Sequence, residues 1–503
     1  MSGVALRTLL DEGYGLQIIG DDQVIVKGVR HDSRSVLPGD LFMALGGRVF
    51  DGADYTRDAI ARGAVAIAAE QALAVDVPLL VVSDAERTLS SLATRIYGNA
   101  TNDLAVVGIT GTNGKTTVAY LVEQMLQAAQ QKPAVIGTVN VRGPGGTRPA
   151  THTTPMADEV MRIAAWARDT GASHLIIEVS SHGLVMKRVE DVQFRVAAFT
   201  NLSQDHLDFH STLEEYAAAK DRLFCDLHPQ VSVINVDDGH GRDLSKRSNG
   251  QLLRFSAIGA PEAEVRVLTS KCDRQGIEAT VQTPSGVVEL RSHLLGAHNL
   301  SNLCCALAIG LGLGLDASVL SRALSAAQGA PGRLQRVGLD KRALVFVDYA
   351  HTPDALANVC AALRSLTEGR LLVVFGCGGD RDRSKRPLMG SMVSSFADVA
   401  IVTSDNPRNE DPQVIINDIL PGMSSLGSSP MDVAAIKAGR SGYHVEIDRK
   451  RAIDLAVDAA RVGDTVLIAG KGHENYQIVG ATRLPFDDVA VAEQALERAA
   501  EAR

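Results

Sequence analysis

A chain of 503 residues with 45% hydrophobic and 22% charged residues has the balance of an ordinary globular protein and too much length for one hydrophobic core, which excludes a fibrous or disordered polymer and requires several domains. The formal net charge of -9 offers no basic field to a nucleic-acid backbone, so nucleic acid is not an expected partner and anionic substrates must be met by locally placed Arg and Lys. Six cysteines without a CxxC pair speak against a disulfide scaffold or structural zinc and for a reducing compartment. No signal-peptide pattern opens the chain and no apolar stretch reaches spanning length, so a cytoplasmic protein without membrane insertion is expected.

From residue 24 to 84, short β-branched runs (VIVKGV, LFMAL, AVAIAAE, PLLVVSD) alternate with the helix-like YTRDAIARGA, and residues 87–98 read as a closing helix, which predicts a small α/β unit over 1–100. At Leu104 the apolar strand LAVVGIT runs into a glycine-rich turn, and a helix begins near Lys115. HLIIEVSS, RVAAFTNL and VSVINVDD have the continuous apolar character of parallel strands buried on both faces, predicting, with that glycine-rich turn, a doubly wound, P-loop-like nucleotide-binding domain over 101–335. Residues 251–295 alternate in short pieces and predict a β-rich insertion before a helix over Asn299–Leu313. QGAPGRLQRV (328–337) concentrates Gly and Pro as a hinge would. Beyond it ALVFVDYA, LLVVFGCGG, DVAIVTSDNP and DTVLIAGKG each end in polar or glycine-rich residues at a strand's carboxyl end, predicting a Rossmann-like third domain over 336–503.

Gly111-Thr112-Asn113-Gly114-Lys115-Thr116-Thr117 lies between that strand and that helix, where backbone N–H groups and a helix N-terminus cradle phosphate. It is a shortened form of the P-loop pattern, with Ile109 where the strict one has Gly; Lys115 would neutralise outer phosphates and Thr116 or Thr117 would offer a hydroxyl to Mg²⁺. Glu178, His206 and Asp208 follow strands and could converge there as hard magnesium ligands, or be a strand-end acid and helix-capping residues. Lys220 in EEYAAAKDRLF reads as a solvated helix lysine beside Glu215 and Tyr216. His298, Asn299 and Arg333 read no more strongly than a loop pair and a surface charge. Asp348, His351 and Asp354 sit at a strand end and helix start, and the loop with Arg381, Arg383, Lys385 and Arg386 is basic enough to favour anions, unless it is a solvated turn. Arg408 and Glu474 close two further strands and have the opposite signs that an amine-and-carboxylate substrate needs.

Taken in order, GTNGKTT, EVSSHGL, NLSQDHLD, AAKDRLF, GAHNLSN, PGRLQ, DYAHTPDAL, GCGGDRD, SDNPR and GKGHENYQ closely resemble the Mur ligase family, in its tripeptide-forming MurE type, over nearly the whole chain. The resemblance implies three domains, for a UDP sugar, for ATP and for an incoming amino acid. It implies an ATP-dependent ligase of cell-wall precursor synthesis that phosphorylates the D-glutamate γ-carboxylate of a UDP-N-acetylmuramoyl dipeptide and lets an amine attack the acyl phosphate. By similarity Lys115 contacts the transferring phosphate. Thr116, Glu178 and His206 hold Mg²⁺, and Lys220 is carbamylated by CO₂ to support a second Mg²⁺, against the solvated reading. Asn299, Arg333 and Asp348 match nucleotide contacts. For the UDP-dipeptide the pattern gives His31 and Ser33, Arg48, Val49 and Phe50, His152, Thr153, Thr154, Ser180, Met186 and Arg188, with Met186 standing where many relatives have Gln and His152 where some have Asn.

For the amino acid the pattern gives Arg381, Asp405, Asn406, Pro407, Arg408, Gly470 and Glu474. Relatives adding diaminopimelate carry DNPR, while those adding lysine commonly replace its Arg; the Arg408 guanidinium can grip a distal carboxylate that lysine lacks. The expected partners are therefore three small molecules, ATP, the UDP-dipeptide and meso-diaminopimelate, handled by a monomer. Rival readings are the same ligase using L-lysine, a folate-glutamylating ligase, which would not need SDNPR, and a P-loop switch ATPase, which would hydrolyse ATP without an amino acid. A catalytically silent UDP-sugar binder is disfavoured by intact Lys115, Glu178, His206 and Lys220.

Overall fold

A computed structural model describes residues 3–9, 17–47, 51–203, 205, 209–338 and 343–501. The chain parts into two compact units. The first runs to Ser270 and includes Glu278–Ser292 and Leu300–Ala327, and the second consists of Lys271–Ile277, His293–Asn299 and the chain from Gln328 onward.

In the first unit, strands Gly28–Arg30, Asp40–Met43, Ala66–Ala69 and Leu79–Val81 lie side by side in parallel, with Gln17–Ile19 antiparallel at the edge. Their alternation sorts side chains by face: Phe42, Ile67 and Leu79 pack with Ala59 of the helix Thr56–Ala61 on one side. On the other, Leu41, Met43, Ala66, Ala68 and Leu80 pack against the helix Ala85–Ile96. Asp84 caps that helix by accepting from Arg87 N–H. The same core takes in Val106, Leu175, Ile177, Ala197 and Phe199 and the helix Ala157–Asp169, so the N-terminal strands share a core with the central strands.

The central sheet holds the parallel strands Pro133–Ile136, His174–Glu178, Ala105–Thr110, Phe194–Phe199, Val231–Asn235 and Gln251–Ser256, in that spatial order. Val106 and Val107, or Ile176 and Ile177, are buried on opposite faces, which is why these strands read as unbroken apolar runs. The β-rich stretch does not interrupt the sheet: strands Gln251–Ser256, Val265–Asp273, Gly276–Thr283 and Gly286–Ser292 extend one edge of it. At the other edge stands the hairpin Asn140–Gly143 and Gly146–Pro149, which the sequence reading lacks. The helix expected over Asn299–Leu313 spans Ala297–Gly312.

In the second unit, Leu344–Asp348, Thr465–Ala469, Leu371–Phe375, Val399–Val402 and Gly442–Val445 form a parallel sheet in that order. Gln335–Val337 lies antiparallel at its edge, so the end of the expected hinge is a strand. Two separate cores cover its faces. Phe346, Val373, Val402 and Leu467 belong to one and Val345, Val347, Val374, Ile401 and Ile468 to the other, as period-two alternation in a doubly covered sheet requires. Among the described residues no helix is long and apolar enough to cross a membrane.

Candidate active site

The carboxyl ends of the parallel strands gather the chemistry-bearing residues of each unit. In the first, Ala105–Thr110 delivers the chain into Gly111, and the helix Lys115–Ala128 leaves from Gly114. Gly111 and Gly114 have φ of 144° and 90°. A Cβ on the first would run into the Thr200 hydroxyl and on the second into the Asn302 amide oxygen, so both positions need glycine for space as well as for backbone angle. Asn201 braces the loop, taking the Thr112 N–H on its carbonyl at 2.8 Å and the Asn113 N–H on its side chain at 2.9 Å. Two loop N–H groups are thus engaged inside the protein, which concentrates the phosphate-facing dipole on the helix start at Lys115. Lys115 Nζ folds back onto the carbonyls of Gly111 and Thr112, at 2.7 and 2.9 Å.

Glu178, 1% exposed at the end of its strand, accepts from the Thr116 hydroxyl at 2.8 Å and from the Thr138 N–H and hydroxyl at 3.0 and 2.8 Å. Thr138 also pairs with Thr153 at 3.1 Å, and the Thr154 hydroxyl donates to the Glu178 carbonyl at 2.8 Å while accepting the Ser180 N–H. Ser180 caps the short helix Ser181–Val185. Arg188 donates to the Thr154 carbonyl at 2.7 Å and approaches the Met186 sulfur. Burial lowers the Arg188 pKa, and its buried Nε has no hydrogen-bond partner. The structure therefore joins Thr153, Thr154, Ser180, Met186 and Arg188 to the phosphate loop through Glu178. His152 is pushed down in pKa by burial and then by the Arg188 charge. Burial also opposes the charged form of His31, but the hydrogen bond to Asp158 at 2.8 Å and that carboxylate's charge raise its pKa overall. Ser33 is buried in a single turn capped by Asp32.

Lys220 is not the solvated lysine that its helix spacing suggests. The helix Leu213–Cys225 turns it inward to 1% exposure, with Nζ 4.2 Å from the centre of the Tyr216 ring. Burial, and after it the charge of Lys115, hold its pKa well below the ordinary lysine value. Tyr216 in turn reaches Thr112 through its hydroxyl at 3.3 Å, which ties this helix to the phosphate loop. His206 and Asp208, like Arg48, Val49 and Phe50, lie outside the described residues. Among the described residues no three His, Cys, Asp or Glu side chains gather as a metal site. The Thr116 hydroxyl and the Glu178 carboxylate nonetheless supply hard oxygens of the kind Mg²⁺ takes.

The second unit holds the remaining candidates. Asn299 donates its amide to Leu295 O at 2.9 Å. Asp348 is buried between the N–H groups of Leu334 and Ala350, at 2.6 and 2.8 Å; burial raises its pKa and Arg333 opposes this. Arg333 lies over the Tyr349 ring at 5.1 Å. Of the basic loop, Arg386 is fully buried on Glu410 and Asp418, and Arg383 also pairs with Asp418. Arg381 is exposed. Asp405, Asn406 and Pro407 are buried beside Gly470, and Arg408 donates to Gly379 O at 2.8 Å. Glu474 accepts from the Asn406 amide at 2.9 Å. Burial raises the Glu474 pKa, opposed by the Asn406 hydrogen bond and by the charges of Lys471 and Arg408.

Sequence reasoning missed Thr138, which holds Glu178, and Asn201, whose side chain and carbonyl brace the loop; nothing local distinguishes either. It also missed Asn302, although the repeat of Asn one helical turn after Asn299 was a signal.

Three family models match the chain: "Mur ligase family, catalytic domain" over residues 25–101, "Mur ligase middle domain" over 109–310 and "Mur ligase, glutamate ligase domain" over 332–472. A UDP-N-acetylmuramoyl-L-alanyl-D-glutamate--2,6-diaminopimelate ligase of Synechococcus elongatus is 43% identical over 94% of this chain and 94% of its own. A solved structure described as a ligase of that name superposes over 100% of both chains with a TM-score of 0.71 at 34% identity. A MurF ligase from Thermotoga maritima in complex with ADP shares the fold, with a TM-score of 0.64 at 19% identity over 95% of this chain and 99% of its own. With three matched models in sequence order and relatives this similar over nearly its whole length, the chain belongs to the Mur ligase family.

Proposed function

We propose that this chain is the ATP-dependent ligase that joins meso-diaminopimelate to the D-glutamate of UDP-N-acetylmuramoyl-L-alanyl-D-glutamate during peptidoglycan precursor synthesis. The observation that carries the substrate choice is the hydrogen bond at 2.9 Å from Asn406 to Glu474, which joins that carboxylate to the segment ending in Arg408 and so offers one charge for the ammonium of the amino acid and one for its distal carboxylate. ATP phosphorylates the γ-carboxylate of the dipeptide's D-glutamate, the amine of diaminopimelate attacks the acyl phosphate, and inorganic phosphate leaves. Lys115 gives up the loop carbonyls to neutralise the transferring phosphoryl group, and Asn113, Gly114, Thr116 and Thr117 complete the phosphate cradle with Gly111 and Thr112. Asn299, Arg333 and Asp348 are assigned to nucleotide contacts by their match to the family pattern.

The UDP-dipeptide is held by His31, Ser33, Arg48, Val49, Phe50, His152, Thr153, Thr154, Ser180, Met186 and Arg188, and the amino acid by Arg381, Gly470, Glu474 and the segment Asp405–Arg408. Thr116, Glu178 and His206 would hold Mg²⁺, whose charge offsets that of the phosphates. Lys220 suits carbamylation because burial favours its neutral amine, the form that adds CO₂, and the carbamate would give Mg²⁺ a further oxygen. In this reading the chain works as a cytoplasmic monomer of three domains, 1–100 for the UDP sugar, 101–335 for ATP and 336–503 for the amino acid, and serves cell shape and division. Phosphate release, assayed with each of ATP, UDP-dipeptide and diaminopimelate omitted in turn, tests it. Turnover is expected only with all three present. Release that persists without the amino acid favours a switch ATPase, and equal rates with L-lysine remove the assignment of Arg408.

A further inference from the structure

Behind the segment Asp405–Arg408 lies a charged side chain that the reading above leaves without a part. Lys471 is 0% exposed. Its Nζ donates to Asn406 Oδ1 at 2.9 Å and to Tyr476 O at 2.8 Å, with Asp405 Oδ1 at 3.1 Å as an ion pair outside hydrogen-bond geometry. A buried ammonium is costly unless it is matched, and here two hydrogen-bond acceptors and one carboxylate charge meet it. Asn406 Oδ1 accepts a second donor, the Ile478 N–H, at 3.0 Å. Two donors converging on one amide atom identify it as the oxygen, because the reversed amide would set its NH₂ against an ammonium and an N–H. The amide nitrogen must then point the other way, where Glu474 Oε2 accepts it at 2.9 Å.

We propose that Lys471 is a positioning residue for the incoming amino acid: it fixes the orientation of the Asn406 amide, and the amide in turn holds Glu474 by Oε2 for its part in binding the substrate ammonium. The inference rests on the amino-acid pocket assigned above. Lys471 also ties the loop Gly470–Glu474 to the segment Asp405–Arg408, so one buried cation sets the register of both walls. The groups that Lys471 touches, Asp405, Asn406 and the Tyr476 carbonyl, adjoin the amino-acid pocket, so its loss is expected to be felt first at that substrate.

The test is steady-state kinetics of the full chain with ATP, Mg²⁺, UDP-dipeptide and diaminopimelate, on Lys471→Met and Asn406→Asp, after circular dichroism has shown both folded. For Lys471→Met the KM for diaminopimelate is expected to rise about tenfold, corresponding to about 1.4 kcal/mol, while the KM for ATP changes by less than about twofold. Asn406→Asp, which cannot donate to Glu474, is expected to give the same selective rise, and the double variant to add little to either single change. If Lys471→Met does not fold, Asn406→Asp carries the same reading, and a KM for diaminopimelate unchanged in it overturns the proposal. An unchanged KM for diaminopimelate in folded Lys471→Met, or equal rises for ATP and diaminopimelate, overturns it as well. Wild-type phosphate release indifferent to any amino acid overturns the pocket assignment itself rather than the part of Lys471 within it.

Discussion

Arg408 and Lys220 show the two ways in which a single side chain becomes readable. Arg408 closes the segment Asp405–Arg408, whose resemblance to a family motif makes it readable, and its guanidinium donates to the Gly379 carbonyl at 2.8 Å. Its backbone is unusual, with φ of 51°, held by the Ile478 carbonyl and the Gly480 N–H on either side. Arg408→Ala is expected to lower kcat/KM for diaminopimelate about a hundredfold, the loss of charge-assisted hydrogen bonds at about 1.5–3 kcal/mol each. Initial rates at low amino-acid concentration check this, and a loss shared by KM for ATP would contradict it. For Lys220, helix spacing points to solvent, and only the family pattern points inward, because burial is a property of what the helix packs against. Lys220→Ala is expected to reduce kcat about a hundredfold or more, and ¹³C NMR in labelled bicarbonate is expected to show a carbamate carbon in the wild type that the variant lacks.

At the scale of elements, the phosphate loop was legible because three features coincide: an apolar strand, glycines at a tight turn and a helix whose first residue is Lys115. Gly114→Ala must hold φ near 90° and displace Asn302. It is expected to weaken ADP binding about tenfold, starting from the roughly 1–2 kcal/mol that a left-handed non-glycine residue costs. Isothermal titration measures it, and unchanged affinity would show that the loop adjusts freely. The hairpin Asn140–Gly143 and Gly146–Pro149 was not legible, because its outer strand is fully exposed and carries no apolar period to read. Gly442–Val445 escaped notice for a related reason: it is short, opens on Gly, and owes its place to pairing with Val399–Val402. Both are strands by virtue of partners, not of their own composition.

At the scale of the whole molecule, motif order divides the chain in three, whereas packing gathers it into two compact units. The helices Ala85–Ile96 and Ala157–Asp169 bring the N-terminal sheet and the central sheet into one core, a joining that no local pattern announces. His31 and Asp158 add a polar tie between the same two regions. Because the folded state raises the His31 pKa above its ordinary 6.5, the tie stabilises fully below that pH and fades as pH rises through the raised value. His31→Ala is therefore expected to lower Tm more at pH 6 than at pH 9, and equal losses at both would count against a charged pair.

The proposed reaction assembles one product from three substrates. Its most direct test is mass spectrometry of the UDP-linked product after incubation with ATP, Mg²⁺, UDP-N-acetylmuramoyl-L-alanyl-D-glutamate and an equimolar mixture of meso-diaminopimelate and L-lysine. A single new species heavier by one diaminopimelate residue is expected, formed in step with ADP. A lysine adduct in comparable amount, or ADP formed with no new UDP-linked species, would contradict it.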